Sequence, residues 1–390
     1  LQGAGLVAEV LASGRPASSA APLDALPPRL VAETGAGGAG LLPDDWPQAV
    51  AVQAPGGLAA VEVFRDGVAV ARLAAGGDDS LRLEAATLAG LLAGAPVAGS
   101  SRASGPLPPE TRWLSFRAED RAGLTSRVLS LALPPADPAT DAGAPVGRLH
   151  VLAVGIDRFD DPRLPDLSYA GHDASRLAAA LAAAPQDGRY AGVTVEIIDP
   201  AADLRSVLPS RLAALQGLTP EDTVILFIAT HGVLDPEARF YLAQGSTRLD
   251  ALAATAVDIG VIATALERVP ARGFVFLDAC HSGAAAQGTN DAALAGLKAR
   301  ASRWAVIAAS KGRQPSLEAA RLGGGAFTSG VIRAITDPAT DRDGDGALDL
   351  WELHAAVKRD VVLATGGRQT PWIARSGFVG PVPLLQAAVP

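Results

Sequence analysis

A chain of 390 residues exceeds what one hydrophobic core usually organises, so two domains are expected. With 49% hydrophobic and 19% charged residues it reads as globular, and a net charge of −8 without any basic cluster argues against binding nucleic acid through phosphate neutralisation. The single cysteine excludes an internal disulfide, a Cys-x-x-Cys redox motif and a multi-cysteine zinc site, and no apolar run is long enough to span a bilayer.

Residues 1–45 are rich in Ala, Gly and Pro, with no sustained period, and read as a flexible lead-in. A chain that begins at Leu1 and contains no methionine reads as a processed or excised product. A removed signal peptide leaves no trace, so the compartment stays open between cytoplasmic and periplasmic. From Trp46 the pattern turns to strands, Gln48–Gln53 and Ala60–Leu73, the second interrupted by Asp66-Gly67, a pair suited to a tight hairpin turn with positive φ. Thr111–Glu119 and Thr125–Leu133 predict two more strands. Residues 46–133 are therefore expected to form a small all-β accessory domain, a sandwich with Trp113 in its core. The phrase Phe116–Ser126 resembles a strand and turn of bacterial immunoglobulin-like modules. Residues 134–147, with four prolines, predict a linker.

Residues 148–390 alternate strand and helix patterns. Strands are expected at Leu149–Ile156, Gly192–Ile198, Asp222–His231, Gly273–Cys280 and Arg303–Ala309, with helices at Tyr169–Ala184, Ala202–Leu215 and Val261–Arg268. That alternation predicts an α/β fold, a mostly parallel sheet flanked by helices. No Gly-x-Gly-x-x-Gly follows the first strand and no Gly-Lys-Ser/Thr loop is present, so a nucleotide-binding reading fails and no organic cofactor is expected. A serine hydrolase centred on Ser282 also fails, because Cys280 stands where a nucleophile elbow needs glycine.

Two strands end in chemistry. One apolar run closes on His231-Gly232 and the next on Asp278-Ala-Cys-His-Ser-Gly283. Parallel sheets place ligands outside the carboxyl ends of their strands. Neighbouring strands lie about 4.8 Å apart, so a histidine from one and a cysteine from the next can meet. A lone cysteine is by itself more often a small core residue, but His231 precedes Cys280 by about 50 positions, the spacing quoted for caspase-type proteases.

On these motifs the chain from Arg148 onward resembles the bacterial caspase-like and metacaspase-like cysteine peptidases. The resemblance implies Cys280 as nucleophile, His231 as its proton partner, and the N–H groups of Gly232 and Cys280 as oxyanion donors. It also implies a pocket for a basic substrate residue. Asp278 shares its strand face with Cys280, Asp173 follows in Leu167–Asp173, and Glu318 lies in a loop lining the cleft. Ala170 and Ala229 replace the Cys and Ser of those relatives. Asp173 alternatively reads as a helix N-terminal carboxylate. No third catalytic member is assignable, and His281 is read as structural. Lys298 and Arg300 are candidate self-cleavage points, with an uncut surface helix as the other reading. The expected partner is a protein or peptide with Arg or Lys at the cleaved position. The alternative function is a catalytically silent scaffold of the same fold.

Asp341–Glu352 matches a twelve-residue EF-hand loop. Asp341, Asp343, Asp345, the carbonyl of Ala347, Asp349 and Glu352 stand at the ligand positions and Gly346 at the sharp turn, so Ca2+ is expected there. A metal-free acidic turn capping the helix that follows, Leu350–Leu363, is the other reading.

Overall fold

The computed structural model describes residues 26–33, 47–74, 78–92, 113–132, 147–184, 189–281, 304–310, 318–319, 323–375 and 378–388. The chain divides near residue 135 into two compact units.

In the first unit, β1 (Arg29–Glu33), β2 (Ala49–Gln53) and β5 (Ser80–Glu84) form an antiparallel sheet in the order β1-β2-β5. A second sheet runs β4-β3-β6-β7, from β3 (Leu58–Arg65), β4 (Val68–Ala74), β6 (Trp113–Asp120) and β7 (Leu129–Ala132). Asp66 and Gly67, with φ of 44° and 82°, make the β3–β4 turn with the expected positive φ. Val50, Val52, Val61, Val63 and Phe116 share one core with Leu88 and Leu91 of a short helix, α1 (Ala85–Leu92). Three expectations change. Arg29–Glu33, inside the expected lead-in, is a strand in register with β2. Its short apolar run, Leu30-Val31-Ala32, shows no alternation and does not stand out within an alanine-rich stretch. Helix α1 means the unit is not all-β, and Trp113 is half-buried at the start of its strand. The expected linker lies almost wholly outside the described residues.

The second unit is built on an eight-stranded sheet. Its parallel members, in spatial order, are β9 (Val193–Ile197), β8 (Leu149–Gly155), β10 (Thr223–Leu234), β13 (Arg272–His281) and β14 (Trp304–Ala308). β18 (Trp372–Arg375) adds antiparallel to β14, and β11 (Phe240–Leu242) adds antiparallel to the last residues of β10 and pairs in turn with β12 (Val257–Asp258). The period-two geometry of a strand sends alternate residues to opposite faces. Val151, Phe227, Phe274, Phe276 and Ile307 pack against α2 (Ala170–Ala183), α5 (Ala326–Thr336) and α6 (Leu350–Thr365). Leu152, Leu226, Val275 and Val306 pack against α3 (Leu204–Ala214) and α4 (Ile259–Glu267). Both faces are covered, which is why these strands read as continuous apolar runs. Each fully buried Leu, Ile or Phe contributes about 1.5–3 kcal/mol relative to exposure.

Two close approaches fix the layers. At Gly155, ending β8, a Cβ would stand 2.0 Å from the carbonyl oxygen of Ala170, so helix α2 begins directly against the strand's end. At Gly273 a Cβ would lie 2.1 Å from the Trp304 ring, whose Nε1 donates to Leu266 O at 3.0 Å. Helix α5 and strand β18 carried no expectation from the sequence. Among the described residues no helix is long and apolar enough to cross a membrane.

Candidate active site

Strands β10 and β13 are parallel and in register, with His231 opposite Cys280, Ala229 opposite Asp278 and Gly232 opposite His281. The residues expected to react therefore occupy matched positions at the carboxyl rim. His231 is 2% exposed, and its Nε2 lies 2.6 Å from the carbonyl oxygen of Pro165. A carbonyl can only accept, so Nε2 carries the proton and Nδ1 keeps the ring's lone pair. The Phe159 ring sits against the imidazole, with centroids 4.7 Å apart. Pro165 thus supplies a third polar group that the sequence could not indicate, since every residue carries a carbonyl.

The loop bearing Pro165 is tied at several points. Arg158 donates to Asp166 at 2.6 Å, and Asp166 also accepts the Phe159 N–H at 3.2 Å. The Arg158 guanidinium holds the Asp166 carboxyl below the usual carboxylate range. Leu167 N donates to Asp157 O at 2.9 Å and Asp160 N to Gly245 O at 2.8 Å. A cavity of about 810 Å³ opens beside this loop, lined by Asp157, Arg158, Asp166, Leu167, Ala201 and Ser246 among others. Gly232 has a packing reason to be glycine, because a Cβ there would lie 2.6 Å from the Phe240 ring.

Beneath the rim two carboxylates converge. Asp173 falls on the otherwise apolar stripe of α2 with Ala170, Ala174 and Leu177, and is 3% exposed; Asp278 is 7% exposed. Between them runs β16 (Gly324–Gly325). A Cβ on Gly325 would stand 2.7 Å from Asp173 Oδ2 and 3.3 Å from Asp278 Oδ2. Gly325 N donates to Asp173 Oδ2 at 2.7 Å. Gly325 is also the N-cap of α5, so Asp173, which stands in the first turn of its own helix as the alternative reading had it, answers the N-terminus of α5 as well. Glu318 lies in β15 (Glu318–Ala319), its Cα opposite Gly325 in the antiparallel pair with β16. The backbone therefore brings all three acidic residues to one place. The sequence reading missed Gly324 and Gly325, although a glycine run is a recognised sign of close backbone approach. Lys298 and Arg300 lie outside the described residues.

The acidic loop stands apart. Side-chain oxygens of Asp341, Asp343 and Asp345 lie within 4.8 Å of one another. Gly344 N and Gly346 N donate to Asp341 at 2.8 and 3.0 Å, and Gly346 has φ of 79°. Ala347 opens β17 (Ala347–Asp349), paired with β19 (Pro383–Gln386). Asp349 and Glu352 form a capping box at the start of α6, and Glu352 also accepts the Arg342 N–H at 2.7 Å. Three aspartates of the loop thus cluster, while Asp349 and Glu352 cap the helix. Burial pushes Asp349 up to about 6 and raises Glu352.

A family model described as the caspase domain matches residues 148–381. Among solved structures, protein GSU0716 from Geobacter sulfurreducens is 20% identical, with a TM-score of 0.44, over 62% of this chain and 97% of its own. Caspase-1 from Spodoptera frugiperda is 15% identical, with a TM-score of 0.40, over 60% of this chain and 90% of its own. No curated protein matches the chain. With the family model covering more than half of its length, the chain belongs to the caspase-domain peptidases, a family whose members are generally cysteine peptidases acting on proteins.

Proposed function

We propose that the chain is a cysteine endopeptidase that cleaves after Arg or Lys. The observation that carries the reading is the matched position of His231 and Cys280 on adjacent strands, with Asp173 and Asp278 converging on Gly325 nearby. In this reading His231 Nδ1, left with the lone pair by the Pro165 contact, takes the Cys280 thiol proton. The thiolate attacks the peptide carbonyl, forming the C–S bond, while the N–H groups of Gly232 and Cys280 receive the oxyanion. The imidazolium then gives its proton to the departing amine as the C–N bond breaks, and water releases the acyl group. The carboxylates of Asp173 and Asp278, with Glu318 beside them, draw in the substrate's cation.

Fluorogenic peptides differing only at the cleaved residue test this. Turnover of Arg and Lys peptides well above an Asp peptide is expected. Preference for Asp would overturn the specificity, and inertness toward all of them and toward thiol-directed inhibitors would favour a silent scaffold. We further read the first unit as an immunoglobulin-like accessory module.

The loop Asp341–Glu352 is proposed to hold Ca2+. Clustered carboxylates and a loop carbonyl suit a hard cation that takes six to eight oxygens. Asp341, Asp343, Asp345 and the Ala347 carbonyl would hold it, joined by Asp349 and Glu352. Calorimetric titration of the chelator-treated protein is expected to show saturable heat and a raised melting temperature with Ca2+. Absence of both would leave the loop as a helix cap.

A further inference from the structure

We infer that Arg176 is a specificity-determining residue of the acidic pocket, a resident cation on Asp173 with which a substrate's own cation must share that carboxylate. The inference rests on the reading that Asp173 and Asp278 receive a basic side chain. Arg176 follows Asp173 by one turn of α2, and its Nη1 lies 3.4 Å from Asp173 Oδ1. The same nitrogen is 3.1 Å from Gly323 O and 3.5 Å from Ser329 Oγ. A Cβ on Gly324 would lie 2.2 Å from Asp173 Oδ1 and 2.5 Å from Arg176 Nη1, so the glycine turn is wrapped around this pair.

Ion pairs one helical turn apart are common on surfaces and contribute little. This pair differs because its acid has a side chain only 4% exposed, while its cation is 30% exposed and keeps contact with solvent. The nitrogen's one hydrogen bond of ordinary length goes to the Gly323 carbonyl, and its contact with Asp173 Oδ1 is a long one. The guanidinium therefore offsets part of the Asp173 charge and can yield when another cation arrives. Its cost is competition, and the pocket attracts a substrate cation less than the acids alone would.

The test compares kcat/KM for two peptide reporters with Arg or its uncharged isostere citrulline at the cleaved position, in the full chain with Ca2+ present. Arg176→Gln is expected to raise the Arg-to-citrulline ratio about fivefold, through KM for the Arg reporter, the scale of a partly exposed ion pair. Arg176→Lys, which retains the charge, is expected to keep the wild-type ratio. In an Asp173→Asn background the effect of Arg176→Gln is expected to vanish. Melting is measured first, because Arg176 also holds the Gly323 carbonyl; if Arg176→Gln does not fold, Arg176→Met gives the ratio instead. An unchanged ratio, or an equal loss on both reporters, would overturn the inference and leave Arg176 as a structural clamp. A wild type that fails to discriminate Arg from citrulline would instead sink the basic-pocket reading, and this inference with it.

Discussion

Cys280→Ala is expected to abolish peptide cleavage, with a loss on the order of 10⁴-fold or more in kcat. His231→Ala is expected to fall by a similar factor, and the double variant to be no worse than either single one, because nucleophile and base act as a unit. The reason lies in the register: the two strands bring His231 and Cys280 to the same level of the rim, and Pro165 fixes which imidazole nitrogen holds the proton. Neither residue alone retains the route from thiol to thiolate to acyl-enzyme. The measurement is single-turnover cleavage of an Arg peptide, with circular dichroism to confirm folding. Substantial activity remaining in Cys280→Ala would show that the chemistry is elsewhere.

Asp278→Asn is expected to reduce kcat/KM for Arg and Lys peptides roughly 100-fold, the cost of removing one of the two buried carboxylates that face a desolvated cation. A citrulline peptide is expected to change only slightly. Asn matches Asp in shape, so packing against Gly325 is retained and the difference isolates charge. At 7% exposure the carboxylate is screened little by solvent, which is why the effect should survive at physiological salt. Equal losses on charged and uncharged peptides would mean that Asp278 supports the sheet and does not read the substrate.

How far these groups were legible in the sequence differs from residue to residue. His231 and Cys280 stood out because each ends a run of apolar residues, and a polar group after a buried strand marks the rim of a sheet. Asp278 followed from strand parity. Helix α2 was predicted within one residue at each end, since Ala174, Leu177, Ala178 and Leu181 repeat at the helical period. Its one buried acid, Asp173, was indicated by the family resemblance, in the phrase Leu167–Asp173, and not by the helical period. Helix α1 and strand β1 were missed, being short and set in alanine-rich sequence where periodicity barely registers.

Periodic burial is a local property, written by neighbours in the chain, so the layered α/β class, the order of the parallel strands and the acids and thiol available to them were all present in the linear order. Proximity across the fold is not local. That the Pro165 carbonyl meets His231, that Gly325 lies between Asp173 and Asp278, and that Arg176 shares an acid with the pocket arise only when loops and helices distant in sequence close over one sheet edge. Two of these contacts use backbone atoms common to every residue, and such atoms acquire a role only through the position that tertiary packing gives them.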